Sequence, residues 1–311
     1  MSNEVNQTYF NEQNLRRIIH LVNYNQDTMS SSLIASELFN VKGWVVVLTG
    51  GGTGVGKMMA TCLAENGAKV YITGRRLEKL QETAAPFEGR VIPIVADNTK
   101  KEDIIALAKF VNEREDHIDL LVNNAGVTTV NAQLDAEDNT GQAISKRMLE
   151  QNFDDWLGPY AVNTASMYFT SVSAAFLPLL MATQDHRGVS GNIVNVTSMS
   201  GITKTSQNGQ FSYNANKAAA RSLSTQLAND FTRPHINVRV NQLALGYFPS
   251  EMTKIATSGE EKEHFINKWH IPFGRAGTSE DISKVLLNLA TNEYMTDSTQ
   301  VVDGGYLCVV P

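Results

Sequence analysis

The sequence predicts an α/β fold built as one doubly wound parallel sheet. Two observations carry that reading. Apolar strand-like runs alternate with segments of helical periodicity along most of the chain. One run, Val45-Val46-Val47-Leu48, passes into the glycine-rich turn Thr49-Gly50-Gly51-Gly52-Thr53-Gly54-Val55-Gly56 and then into a helix reaching Asn66. Four consecutive apolar residues suit a central strand covered on both faces. A helix that starts on glycines offers unpaired N–H groups and partial positive charge to an anion, so the turn suits a pyrophosphate. A ligand-free glycine loop is the plain alternative, but a second strand at Lys69 to Thr73 completes the order expected of a dinucleotide site.

The second strand ends at Gly74-Arg75-Arg76. An acidic residue about twenty positions past the glycines would bind a ribose 2′-OH and select NAD. Two arginines stand there instead, with fixed charge and planar donors for a 2′-phosphate; a solvated basic pair opening the helix from Leu77 is the alternative. Val91 to Ala96 reads as a third strand ending at Asp97-Asn98, followed by a helix over Lys100 to Glu115. Asp97, read by itself, suits a cap on the following turn. Ile118 to Val122 reads as a fourth strand, closing on the small-residue turn Asn123-Asn124-Ala125-Gly126. From Val127 to Glu150 the chain is polar and reads as irregular, and one long helix is expected from about Phe153 to Met181. Asn163, near its middle, has modest helix propensity and calls for a reason. Asn192 to Val196, Ile236 to Val240 and Gln300 to Val302 complete the strands. Right-handed crossovers then gather the glycine turn, Asn124, Ser198 and Gly246 on one rim.

Composition bounds the function. The chain has 311 residues, 42% hydrophobic and 19% charged, enough to bury one large core, so a single domain over 41–311 is expected. A net charge of −6 argues against nucleic acid or an anionic membrane as partner. No apolar run reaches the roughly eighteen residues of a membrane span. Cys62 and Cys308 make neither a disulfide framework nor a metal-ligand cluster, which suits reduced thiols in the cytoplasm and no resident metal. Residues 1–40 read as a flexible extension, with helical spacing at Leu15, Ile18, Ile19 and Val22, and Met29 offers an alternative start.

Tyr213 and Lys217 fall one helical turn apart. A phenol of pKa about 10 transfers protons poorly near neutral pH, and a nearby ammonium favours the phenolate. Alone, Tyr-x-x-x-Lys is as consistent with an exposed surface pair. In conjunction, Thr49-Gly50-x-x-x-Gly54-x-Gly56, Asn123-Asn124-Ala125-Gly126, Asn163, Ser198 and Tyr213-x-x-x-Lys217 resemble, in order and across 41–311, the short-chain dehydrogenase/reductase family.

The resemblance implies a Rossmann-like fold, no metal, and a small carbonyl or alcohol substrate. It makes Tyr213 the acid/base, with Lys217 lowering its pKa and holding the nicotinamide ribose. Ser198 would orient the carbonyl, and Asn163 would fix a water in the proton path. It implies NADP(H) held by Gly50, Thr53, Gly54, Val55, Gly56, Arg75, Arg76, Asp97, Asn98, Asn124, Ala125, Gly126, Tyr213, Lys217, Gly246, Phe248 and Ser250. A homotetramer or homodimer is the family's habit.

Three features depart from the pattern. Ser198 and Tyr213 are 15 apart, Asn216 replaces a customary Ser, and Leu245-Gly246 replaces Pro-Gly, losing a fixed φ. Phe248-Pro249-Ser250-Glu251-Met252-Thr253, Ile271-Pro272-Phe273-Gly274-Arg275 and Asp303-Gly304-Gly305 resemble the branch of 3-oxoacyl-[acyl-carrier-protein] reductases, especially of the rhamnolipid pathway. Ile255, Ala256, Phe265 and Trp269 are candidates for an acyl pocket or a subunit contact. A polyol, sugar-acid or steroid dehydrogenase is the alternative; a non-catalytic NADP(H) sensor is a more distant one.

Overall fold

A computed structural model describes residues 33–172, 176–253 and 262–310. The chain divides into two compact units, Met1–Asn40 and Val41–Pro311. In the first, the described helix is α1 (Ala35–Leu38); the helix expected around Leu15 to Val22 and the start at Met29 lie outside the described residues.

The second unit opens with β1 (Val45–Thr49), α2 (Gly54–Glu65), β2 (Lys69–Gly74), α3 (Leu77–Ala84), β3 (Val91–Val95), α4 (Lys101–Asn112) and β4 (Leu120–Asn123). It continues through α5 (Gly141–Leu149), α6 (Asp154–Tyr160), a π turn (Ala161–Ala165), α7 (Ser166–Val172), α8 (Phe176–Arg187), β5 (Asn192–Ser198) and α9 (Phe211–Phe231). β6 (Arg239–Leu245), α10 (Lys262–Asn267), α11 (Ser279–Thr291), β7 (Thr299–Val302) and α12 (Tyr306–Val309) close it. The seven strands pair in parallel in the order β3-β2-β1-β4-β5-β6-β7. This is the doubly wound, Rossmann-like sheet that the alternation predicts, with the order reversing between β1 and β4. Among the described residues no single helix is long and apolar enough to cross a membrane.

Strand alternation splits the core. Val46, Leu48, Val70 and Ile72 face Met59 and Leu63 of α2 and Ile282 and Leu286 of α11. Val45, Val47 and Tyr71 face Leu107 and Val111 of α4, Leu179 and Leu180 of α8, and Leu227 and Phe231 of α9. Covering both faces explains why β1 reads as an unbroken apolar run.

Three expected elements differ from those observed. The long helix from Phe153 breaks after α6 into the π turn and α7. Pro159 lies inside α6 and withdraws one backbone donor, and the π turn widens the coil by a residue. The segment expected to be irregular holds α5, whose N-cap Thr140 accepts a hydrogen bond from Ala143 N at 3.2 Å. The sixth strand is Arg239–Leu245, not Ile236 to Val240. Its polar members Asn241 and Gln242 are buried because partners await them: Asn241 donates to Met295 O at 2.9 Å and accepts from Ser298 N at 3.1 Å.

Arg239 begins β6 and is 7% exposed, which for an arginine demands partners. Its guanidinium donates to the carbonyls of Leu289, Ala290, Asn292 and Met295, closing the carboxyl end of α11 where orphan carbonyls gather. Arg239→Met is expected to cost about 1–3 kcal/mol: four hydrogen bonds are lost, but each carbonyl keeps a second donor, from Asn192, Asn241 or Met295 N. A urea midpoint that falls accordingly, at unchanged slope, checks this.

Candidate active site

The carboxyl ends of the strands open into a cleft of about 560 Å³. It is lined by Gly50, Thr53, Gly54, Val55 and Gly56 after β1, and by Arg75 and Arg76 after β2. Asp97 and Asn98 line it after β3, and Asn124, Ala125 and Gly126 after β4. Ser198 of β5, Tyr213 and Lys217 of α9, and Gly246, Phe248 and Ser250 after β6 complete the predicted set. The structure therefore brings all the predicted site residues to one cleft except Asn163, which is fully buried behind it.

The glycine turn is a cradle built by close approach. Gly50 has φ +70°, and a Cβ there would lie 2.9 Å from Ala125 Cα. On Gly56 a Cβ would fall 2.0 Å from Gly50 O, so only glycine lets α2 start against the turn. Asn124 locks the cradle to β4: its carboxamide donates to Thr49 O (2.9 Å) and Gly50 O (3.1 Å). The Thr49 hydroxyl accepts from Asn124 N (3.0 Å) and Ala125 N (3.1 Å).

At the next strand end the two arginines have different company. Arg76 forms a forked ion pair with Glu251, at 3.2 and 2.7 Å. Arg75 is exposed at the cleft and shows no hydrogen bond or ion pair among the described residues. Lys79, which the sequence reading passed over, lines the same end. Asp97 spends one carboxylate oxygen on Thr99 N (3.0 Å) and Thr99 Oγ1 (2.7 Å), so the turn cap is realised. The Thr99 hydroxyl holds its carboxyl below the usual range. Asn98 Oδ1 and Thr197 Oγ1, both on cleft residues, are buried with no protein partner. Such orphaned polar atoms, beside a cradle of backbone N–H groups and free positive charge, fit a polar dinucleotide.

At the other end, Ser198 is 6% exposed and its hydroxyl accepts from Ser200 N at 3.1 Å while donating to Leu245 O at 3.3 Å. Tyr213 sits in the first turn of α9, and Lys217 one turn on. Lys217 Nζ donates to Val196 O at 3.1 Å and lies 5.9 Å from the Tyr213 ring centroid. Burial pushes the Lys217 ammonium down to about 8. Burial also pushes the Tyr213 phenol up, with the Ser198 hydroxyl pulling the other way.

Asn163 sits in the π turn, a form of helix found at functional sites. Its carboxamide closes a two-bond ring with Val127, accepting from N at 2.8 Å and donating to O at 3.0 Å. The 15-residue spacing from Ser198 to Tyr213 is absorbed by three successive left-handed residues: Gln207 (φ 51°), Asn208 (φ 66°) and Gly209 (φ 87°). Leu245 keeps its place in β6 without a proline, since Gly246 N donates to Val302 O at 2.9 Å. Glu251, Met252 and Thr253 line the cleft unanticipated; Met252 Sδ stands 3.9 Å from the Tyr213 hydroxyl.

A family profile described as short chain dehydrogenase matches residues 44–261. The chain belongs to the short-chain dehydrogenase/reductase family. It is therefore an oxidoreductase acting on CH–OH or C=O groups with a nicotinamide cofactor. It is 35% identical to the short-chain dehydrogenase/reductase PhomF of Diaporthe leptostromiformis, over 91% of this chain and 98% of that one. It is 32% identical to the rhamnolipids biosynthesis 3-oxoacyl-[acyl-carrier-protein] reductase of Pseudomonas aeruginosa, over 86% and 98%. Among solved structures, the Pseudomonas aeruginosa RhlG/NADP active-site complex superposes with a TM-score of 0.73 at 28% identity, covering 86% of this chain and 98% of that one.

Gly56→Ala is expected to cost about 1–3 kcal/mol, because the new methyl must displace the Gly50 carbonyl, and to weaken nucleotide binding sharply. Melting temperature with and without NADPH checks both effects.

Proposed function

We propose that the protein is an NADPH-dependent carbonyl reductase, that it acts on 3-oxoacyl thioesters, and that Tyr213 is its proton donor. The convergence of Ser198, Tyr213 and Lys217 beside the glycine cradle supports this reading best. When bound, NADPH supplies a hydride to the carbonyl carbon. The first turn of α2 would hold the pyrophosphate, and Arg75 the 2′-phosphate, with Arg76 joining once Glu251 yields it. Asp97 and Asn98 would flank the adenine. Gly246, Phe248 and Ser250 would border the nicotinamide.

Ser198 orients the carbonyl oxygen. Tyr213 gives its phenolic proton to that oxygen as the C=O electron pair moves onto it. Burial raises the phenol, so it is protonated before the step, and charge from Lys217 and the Ser198 hydroxyl must favour its release. Lys217 favours the phenolate left behind. Asn163, with both ends of its carboxamide on Val127, is a positioning residue that fixes the wall beside Lys217. The water expected on it would have to use its remaining lone pairs and proton.

Relatives named as 3-oxoacyl reductases support the substrate class. So does an aromatic wall near the site, where Tyr247 packs edge-on to Trp269 and Tyr306. Phe265 is buried in a small cluster with Ile271 and Ala276, against which Tyr247 and Trp269 pack; Ile255 and Ala256 lie outside the described residues. The greater identity to PhomF favours, as a second reading, a different ketone or alcohol, including the polyols, sugar acids or steroids considered from sequence. Phe153, Leu157 and Tyr160 expose an apolar stripe at helical spacing around α6. We assign it to the contact of a homodimer or homotetramer, which light scattering reads as a mass above 34.1 kDa.

Tyr213→Phe is expected to cut kcat/KM for ketone reduction about 10²–10⁴-fold while NADPH still quenches intrinsic fluorescence. Equal turnover by both proteins sinks the proton-donor role. Arg75→Ala should weaken NADPH and leave NADH unchanged; an equal loss for both would remove Arg75 from the 2′-phosphate. The kcat/KM for reduction should fall as pH rises through about 8, where Lys217 loses its proton, the phenol staying protonated there. Lys217→Arg, which keeps its charge, should carry that limb to higher pH.

A further inference from the structure

The rim opposite the cleft, at the amino ends of the strands, holds a second cluster of chemically capable side chains. Asp116 and His117 lie in the loop before β4, and His186 in the last turn of α8. Each offers a ligand atom, and these atoms all lie within 4.8 Å of one another. Asp116 divides its carboxylate between the imidazoles, Oδ1 lying 2.7 Å from His117 Nδ1 and Oδ2 3.7 Å from His186 Nδ1. The two rings stack at 4.8 Å with 13° between their planes.

A further layer stands behind these three. His117 Nε2 is buried, makes no hydrogen bond of ordinary geometry, and faces Asp119 Oδ2 at 3.4 Å. Asp119 is 2% exposed; it pairs with Arg187 and accepts from Val45 N at 2.6 Å. A carboxylate behind an imidazole is how metal-binding histidines are oriented and made more basic. The carboxyl end of a helix, where His186 sits, also favours a cation.

We propose that Asp116, His117 and His186 bind one divalent cation of the zinc class, with water completing the shell. Two imidazole nitrogens and one carboxylate suit Zn²⁺ or Cu²⁺; Mg²⁺ and Ca²⁺ take oxygen shells. His117 is the fixed ligand, since its side chain is 13% exposed and backed by Asp119; His186, at 40%, turns its ring to present a nitrogen. The bound ion ties the loop before β4 to the end of α8 and, through Asp119, to the first residue of β1. It lies on the rim away from Tyr213, so its effect is on stability and not on hydride transfer.

The test is thermal unfolding of tag-free protein with Zn²⁺ or with Mg²⁺, beside Asp116→Asn and His186→Ala. Zn²⁺ should raise the melting temperature by about 2 °C or more, and Mg²⁺ should not. His186→Ala should abolish the shift and Asp116→Asn reduce it, both variants melting near wild type without metal. Cu²⁺ should give a d–d absorption band that His186→Ala loses. A shift that survives in both variants would place the ion elsewhere, for instance on the exposed thiol of Cys308. That result, or no shift in wild type, overturns the site.

Discussion

The cleft depends on one knot of hydrogen bonds between the carboxyl ends of β1 and β4. The Thr49 hydroxyl receives two backbone N–H groups from the Asn124-Ala125 turn, and the Asn124 carboxamide returns two bonds to Thr49 O and Gly50 O. These bonds satisfy polar groups just where the sheet order reverses and neighbouring connections diverge, which is what opens a crevice in a doubly wound sheet. With the knot in place, Gly50 takes its left-handed turn, Gly56 fits against the Gly50 carbonyl, and α2 presents its first N–H groups to the cleft.

The cleft is also polarised along its length. Arg75, Arg76 and Lys79 gather at the β2 end, where Arg76 pairs with Glu251 and Lys79 with Glu82, leaving Arg75 to face the cleft. At the β5 end, burial drives Tyr213 and Lys217 toward their neutral forms, the phenol upward and the ammonium down to about 8. A ligand with phosphates at one end and an uncharged reacting group at the other is oriented by this difference before any specific contact forms. The same burial that makes Tyr213 hold its proton makes Lys217 sensitive to pH close to neutrality.

What could be read from the sequence is what local chemistry dictates. The glycine turn, β2 and the Tyr213/Lys217 pair each depend on neighbours in the chain, and each sits where its spacing placed it. Asn163, Ser198 and Asn124 were legible through a family resemblance and not through periodicity; Asn163 in particular needs a π turn that no propensity signals. β6 runs beyond the expected Ile236 to Val240 because its polar Asn241 and Gln242 are bonded by Met295 O, Ser298 N and Thr225 Oγ1 from elements distant in sequence. Glu251 was invisible as a partner of Arg76, since 175 residues separate them. α5 escapes a sequence reading because it carries a cap but buries none of its residues, so its apolar positions mark no core face.

The most direct measurement is amide hydrogen exchange with and without saturating NADPH, because it reports the cofactor's footprint whatever the substrate proves to be. Slowed exchange at Gly50–Gly56 and Asn124–Gly126, together with the segment from Gly246 to Thr253, is the expected result. Unchanged exchange there, or protection confined to other segments, would contradict the assignment of this cleft to the cofactor.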